Sequence, residues 1–370
     1  MTGFAKPVRI LRPQRTHGLR VALAACPPVA SFGSRTQHTG GQAGQAASAT
    51  PFGLIRLSAV CALLLLARAA RADDRPTLAP QAAVSNRPSD EAFRLLLQVY
   101  AYDPAIPLEG RIVERIEDRD GGGPREKIVF RGAQGFYVPG YLQLPTSAQR
   151  NGAGPVPCVL LLHGWSGSKS NFWSDNDYIS GGNIRKALLK EGLAVLALDA
   201  QIHGDSISQN EFAPVNPSGP PGIPPRKGYF TQREIYVQTT IDYRRALDYL
   251  KGRPEIDSSR IGALGYSMGG TQTFLLTGVE PRIKAAVACA TPADLAADSL
   301  IAPRRFAPAI GSRPFLMVMG RNDDMCKSDE AERVFRSIGS PHAKLSFYNG
   351  THKIGPAFVP EAVAWLKSNL

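Results

Sequence analysis

Six short stretches of this chain are apolar at nearly every position: Val159–Leu162, Ala194–Leu198, Ile261–Leu264, Ala285–Ala290, Phe315–Met319 and Leu345–Tyr348. A strand with one wet face alternates apolar and polar residues, whereas a strand covered on both faces has no reason to. Between most of these runs the period changes to that of a helix. Ala331, Val334, Phe335 and Ile338 repeat at i, i+3, i+4, i+7 and stop at Gly339, and Phe358, Ala362, Trp365 and Leu366 repeat at i, i+4, i+7, i+8. Tyr236, Tyr243, Leu247 and Leu250 mark a longer helix that ends at Gly252 and Pro254. Buried strands alternating with helices predict an α/β fold, a doubly wound and mostly parallel sheet with helices on both faces.

Upstream the pattern differs. Arg111–Glu117, Glu126–Arg131 and Phe136–Leu144 are β-rich runs, split by Asp120-Gly121-Gly122-Gly123-Pro124 and by Gly132–Gly135, and they read as an antiparallel meander. The three glycines are read as a turn and not as a phosphate loop, because no helix follows them. Ser89-Asp90-Glu91 caps a short helix running to about Tyr100. Residues 73–110 are therefore a linker with one helix, and 111–370 a single domain.

The chemistry is expected at Gly265-Tyr266-Ser267-Met268-Gly269-Gly270. A serine flanked by glycines between an apolar strand and a helix can sit on a sharp corner, its hydroxyl clear of the sheet. Gly265 to Gly269 alone also suit a glycine-rich turn with a capping serine, so the surroundings must decide. Val159–Leu162 runs into His163-Gly164-Trp165-Ser166-Gly167, a turn able to offer the Trp165 N–H, while Met268 offers the N–H after the nucleophile. His163 itself is read as a buried side chain tying down its own loop. Phe315–Met319 ends in Gly320-Arg321-Asn322-Asp323-Asp324, which supplies a carboxylate. Of the histidines beyond residue 72 (His163, His203, His342, His352), His352 alone follows a late strand and precedes the last helix, while His342 lies before that strand, at the sheet's other end. The chain order is nucleophile, acid, histidine, matching one hydrolase fold and neither common protease arrangement.

These residues together resemble the α/β-hydrolase superfamily, and the texture of the turns is similar to its dienelactone hydrolase-like and acetyl-esterase-like branches. The resemblance covers about residues 111–370. It implies a serine hydrolase with Ser267 as nucleophile, His352 as base and Asp323, three residues past Gly320, as acid. Asp199-Ala200-Gln201-Ile202-His203-Gly204-Asp205-Ser206 resembles the Asp-x-x-x-His-Gly-x-Ser turn of these enzymes, with Asp199 and His203 bracing it. Dienelactone hydrolases proper use a cysteine nucleophile. Serine at 267 departs from that and favours ordinary ester chemistry. The expectation is an esterase working through an acyl-enzyme on a small-molecule ester, with no cofactor and no metal. A peptidase or thioesterase on the same fold, or a binding domain that has lost catalysis, are the alternatives.

The substrate is less legible. Ile207 to Thr231 carries Pro214, Pro217, Pro220, Pro221, Pro224 and Pro225, which suggests a stiff rim over a pocket or a plain surface excursion. Trp165, Trp173 and His203 are the expected pocket wall. Ala290 to Pro314 is too short for a large lid, which disfavours a fat-processing lipase.

The net charge of +12 would suggest nucleic acid or membrane until it is located. Residues 1–72 hold nine of the 43 basic residues and no acid, and the remaining 34 basic and 31 acidic residues nearly balance. Nucleic acid is therefore excluded as a partner. Arg56, the apolar run 57–67 and Ala70-Arg71-Ala72 read as a signal peptide cleaved near Ala72, too short for a permanent span, leaving an exported protein with no membrane span in the mature chain. The long prefix before Arg56 leaves open a start nearer residue 54 or an organelle transit peptide. Five cysteines without close spacing make neither a disulfide framework nor a metal motif. Cys158 and Cys289 lie in apolar runs and are expected as buried thiols, a bridge between them being the alternative.

Overall fold

Nine strands form one sheet in the order β1-β2-β3-β5-β4-β6-β7-β8-β9, in a computed structural model that describes residues 89–370 except 119, 151, 211–230, 294–298 and the side chains of 208–210. The expected leader and most of the proline-rich segment lie outside the described residues. β1 (Arg111–Ile116), β2 (Gly122–Arg131) and β3 (Tyr137–Pro145) are the antiparallel meander, and β3 joins β5 (Ala194–Leu198) antiparallel. β4 (Val156–Leu162), β5, β6 (Ile256–Tyr266), β7 (Ile283–Cys289), β8 (Phe315–Gly320) and β9 (Ala343–Tyr348) are all parallel.

Each continuous apolar run lies in a parallel strand, and successive residues feed opposite faces of the sheet. Leu160, Leu162, Leu196 and Ala263 point to one core, while Val159, Leu161, Val195 and Leu264 point to the other. The first face is covered by α1 (Asp90–Val99), α3 (Gln232–Lys251), α4 (Met268–Val279), the single turn α5 (Pro303–Phe306) and α6 (Ser328–Arg336); the second by α2 (Gly181–Lys190) and α7 (Val359–Asn369). α1 and α3 start where hydroxyl caps predict, Ser89 accepting the Ala92 N–H and Thr231 the Glu234 N–H. α2 has no such signal: Ser180 precedes it in a left-handed conformation (φ 56°) with no side-chain cap, and two glycines open it. Those glycines are needed because a Cβ at Gly181 or Gly182 would overlap the backbone of Asn171 or Ser174.

Two expectations need adjustment. The triple glycine is a turn only in part, since Gly121 takes φ 90° but Gly122 and Gly123 already belong to β2. A Cβ at Gly122 would press on the Leu144 carbonyl across the ladder. Cys158 and Cys289 are free and buried, so no bridge joins them, and burial pushes both thiols up in pKa.

The topology fixes where chemistry can sit. β5 lies on one side of β4 and β6 on the other, so the strand order reverses at β4. A crevice outside the carboxyl ends of the strands opens at such a reversal. Leu162 pairs in register with Gly265, which sets the turn after β4 beside the corner after β6.

Candidate active site

Ser267 lies between β6 and α4 with φ 58° and ψ −116°, a conformation that non-glycine residues rarely adopt. The corner is forced from both sides. A Cβ at Gly265 would overlap the Gly269 carbonyl, and one at Gly269 would overlap the carbonyl of Leu162 at the end of β4. Strain of this kind costs about 1–3 kcal/mol. α4 outweighs it, because Met268, Phe274, Leu275 and Leu276 are essentially inaccessible and each such side chain stabilises by roughly 1.5–3 kcal/mol when buried. The Ser267 N–H is held by the Cys289 carbonyl at 2.9 Å, which ties the corner to β7.

Three side chains from three strand ends then form one row. His352 Nε2 is 2.8 Å from Ser267 Oγ, and His352 Nδ1 is 3.0 and 3.2 Å from the two oxygens of Asp323. A carboxylate can only accept here, so Nδ1 carries the proton and Nε2 presents its lone pair to the serine hydroxyl. Asp323 is buried and also accepts the Met325 N–H at 2.9 Å, while Asp324 next to it is exposed. The acid loop and the histidine loop are in backbone contact, with the Asn322 N–H on the Gly350 carbonyl and a Gly320 too close to Thr351 to bear a Cβ.

One positioning group escaped the sequence reading. The hydroxyl of Tyr266, beside Ser267, donates to the His352 carbonyl at 2.8 Å and accepts the Ile354 N–H at 2.9 Å. The residue preceding the serine therefore anchors the histidine loop. An aromatic at this place reads as core in a sequence, and Tyr266 is indeed fully buried, which pushes its phenol well above the usual range.

Trp165 and Met268, the two residues expected as N–H donors, line a cavity of about 260 Å³ together with Ser267, Tyr236, Ile301 and Met325. Met268 opens α4, where a helix leaves its first N–H groups without intrahelical partners. His163 is buried. Its Nδ1 donates to the Gly164 carbonyl at 2.8 Å and its Nε2 accepts the Ala200 N–H at 3.0 Å, and burial pushes its pKa down to about 3. It is a neutral strut for its own loop.

The other two expected wall residues are not at this cavity. Trp173 donates to Gln143 Oε1 at 3.1 Å, packs edge-on to Tyr141 and stacks beneath Arg125 and Arg185, on the other side of the Lys169–Trp173 turn. Its indole is occupied by side chains of β2, β3 and α2. His203 borders a second, more polar groove of about 780 Å³ that shares Trp165 with the first and also includes Ser170, Asn171 and Ile202. His342 precedes β9, as expected, at the opposite end of the sheet from Ser267. Among the described residues no helix is long and apolar enough to cross a membrane.

Comparison with known proteins places this geometry in context. A family described as having the alpha/beta hydrolase fold matches residues 157–310. A putative hydrolase, YtaP of Bacillus subtilis (strain 168), is 27% identical over 154 residues, 40% of this chain and 47% of that protein. Esterase FrsA of Klebsiella pneumoniae is 26% identical over 238 residues, 63% of this chain and 46% of that one. The chain thus spans about half the length of the curated relatives it matches. Among solved structures, an acetyl xylan esterase from Paenibacillus sp. R4 superposes with a TM-score of 0.60 at 18% identity, covering 79% of this chain and 98% of the other. Acetyl xylan esterase 1 from a Thermoanaerobacterium species gives 0.58 at 15% identity, covering 77% and 95%. At these identities the structural likeness speaks to the fold.

Proposed function

The chain has the α/β-hydrolase fold, and we propose that it works as a serine hydrolase of small carboxylic esters. The observation that carries this reading is the hydrogen-bonded row Ser267–His352–Asp323 opening on a cavity that also holds Trp165 and Met268. Ser267 Oγ attacks the ester carbonyl as His352 Nε2 takes its proton, and Asp323 holds the imidazole in the required tautomer. The N–H groups of Trp165 and Met268 receive the developing oxyanion. His352 then returns the proton to the leaving alcohol, and water, activated by the same nitrogen, releases the acid. The chemistry needs no metal and no cofactor.

The substrate follows from the size and lining of the cavity. About 260 Å³ bordered by Trp165, Met268, Tyr236, Ile301 and Met325 suits a short acyl group. With serine at 267, the acetyl-esterase-like branch is the better fit of the two that the sequence resembles. The names of the curated and structural relatives, esterases among them, support the same direction. A fluorophosphonate probe should label Ser267 alone. Ser267→Ala should lose both labelling and turnover, with kcat falling at least about 10⁴-fold. p-Nitrophenyl acetate should be cleaved faster than the octanoate, and an aminoacyl anilide not at all. Labelling that survives Ser267→Ala would overturn the reading.

We also infer export. The support is the basic, acid-free stretch 1–72 with its apolar core 57–67 and small residues at 70–72. Protein recovered from the native host's periplasmic or secreted fraction should begin near Asp73, and cytoplasmic protein retaining residues 1–72 would contradict this.

A further inference from the structure

His203 stands outside the cavity of Ser267, yet it is buried and held in place at evident cost. The residue before it, Ile202, has φ 57°, a left-handed conformation that is a genuine outlier for a β-branched side chain. The turn is locked around Asp199, whose carboxylate accepts the backbone N–H groups of Lys169 and Asp205, both at 2.8 Å, and pairs with Lys169 Nζ at 2.5 Å. Lys169 and Asp199 are both buried, and a Cβ at Gly204 would overlap the Asp199 carboxylate. The result is to turn the His203 ring inwards. Its Nδ1 faces the Gln201 carbonyl at 2.8 Å and its Nε2 the Trp165 carbonyl at 2.6 Å. Each ring nitrogen thus faces a carbonyl acceptor, and the shorter contact is that of Nε2 to Trp165.

Two peptide planes flank the Cα of Trp165. The first contains the Trp165 N–H and the Gly164 carbonyl, which accepts from His163 Nδ1 at 2.8 Å and from the Gly167 N–H at 3.0 Å. The second contains the Trp165 carbonyl, held by His203. A histidine therefore grips the peptide on each side of one residue, so neither backbone torsion of Trp165 can relax without breaking a hydrogen bond. The Trp165 indole lies edge-on to the His203 ring, centroids 5.5 Å apart at 80°.

We propose that His203 is a positioning residue for acyl transfer: through the Trp165 carbonyl it fixes the aim of the Trp165 N–H at the oxyanion. This rests on the serine-esterase reading above. Preorganised donors stabilise the transition state because they need not reorient as charge develops, and removing one donor outright costs roughly 10²–10³ in kcat. Misaiming it should cost somewhat less.

Two amide variants separate this role from a purely structural one. In His203→Gln the amide nitrogen reaches the place of Nε2 and can still donate to the Trp165 carbonyl. In His203→Asn it reaches only the place of Nδ1, where it can donate to the Gln201 carbonyl, and the bond to Trp165 is lost. With p-nitrophenyl acetate, His203→Asn should lower kcat about 30-fold with KM within about threefold of the parent. It should also weaken a trifluoromethyl ketone, which forms a tetrahedral adduct, by a similar factor. His203→Gln should stay within about fivefold of the parent on both measures. Equal kcat and equal ketone affinity in the two variants, at whatever level, would overturn the proposal, since a structural role treats them alike. Fluorophosphonate labelling of the parent at Ser267 is measured first, and its failure would count against the esterase reading instead.

Discussion

The carboxyl edge of the sheet holds its histidines in two kinds of setting. On the β6–β9 side, His352 stands between a carboxylate and a hydroxyl and remains partly open, its side chain 17% exposed. On the β4–β5 side, His163 and His203 are buried and bonded to backbone carbonyls and an amide. A ring between a side-chain acid and a side-chain hydroxyl can pass a proton along that line. One whose partners are peptide groups has nothing to exchange it with, and its bonds fix the chain instead. On the proposed mechanism the same residue type moves protons on one half of the site and holds geometry on the other. The three bonds around His352 join loops at the ends of three strands, whereas those of His163 and His203 tie the turn after β4 to the turn after β5.

The comparison breaks first at the acid. Asp323→Asn should leave the ring free to take the wrong tautomer and lower kcat at least about a hundredfold, a loss that reaches about 10⁴ in a well-studied serine protease. Its exposed neighbour Asp324 is the internal control, and Asp324→Asn should remain within about threefold. Steady-state kinetics of the two proteins decides it: exchanged effects would move the acid by one residue and leave nucleophile and fold untouched.

Tyr266→Phe probes how far the open histidine depends on backbone anchoring of the kind its buried counterparts have. The variant removes both bonds of the hydroxyl to the 352–354 loop. Losing hydrogen bonds worth about 1 kcal/mol each should lower kcat roughly tenfold, with little change in KM. Unchanged kcat would mean that Asp323 alone holds the ring.

The smallest effect belongs to stability. Asp242 on α3 is buried and accepts from Gln201 Nε2 at 2.8 Å and Gln238 Nε2 at 3.0 Å, and burial pushes its pKa up to about 6. The folded state then binds this proton more tightly than the unfolded chain, so stability from this group grows as pH falls from about 6 to about 4. His163, pushed down to about 3, acts in the opposite sense, withdrawing stability as pH falls below about 6.5. The unfolding free energy of Asp242→Asn, measured against the parent by urea titration, cancels the His163 contribution. The gap should shift in the parent's favour between pH 6 and pH 4, and a pH-independent gap would show that folding leaves the Asp242 carboxyl unshifted.

By itself, the sequence determined the fold and the order of the chemistry. Continuous apolar runs between helical patterns suit strands covered on both faces, and the six named runs fall on the parallel strands β4–β9, with β9 at the sheet's edge and only its Leu345 buried. Glycines around Ser267 marked a corner, and late acid and histidine loops after strand ends marked partners, because parallel strands deliver every such loop to one edge of the sheet. That edge was legible from order alone. Helix α2 was not, since no cap announces it and its glycines answer to the backbone of Asn171 and Ser174, distant in kind from any local propensity.

Tertiary structure decided what pattern could not carry: which way a side chain faces. Trp173 and His203 have the residue types of a pocket wall, but one is held on Gln143 and the other turned onto the Trp165 carbonyl by a strained Ile202 and a buried Lys169–Asp199 pair. Tyr266 looked like core and is core, yet its hydroxyl emerges on the histidine loop. Each of these outcomes is fixed by partners 30 to nearly 90 residues away in sequence. Local periodicity reports burial, and only the closed sheet brings the donor to its acceptor.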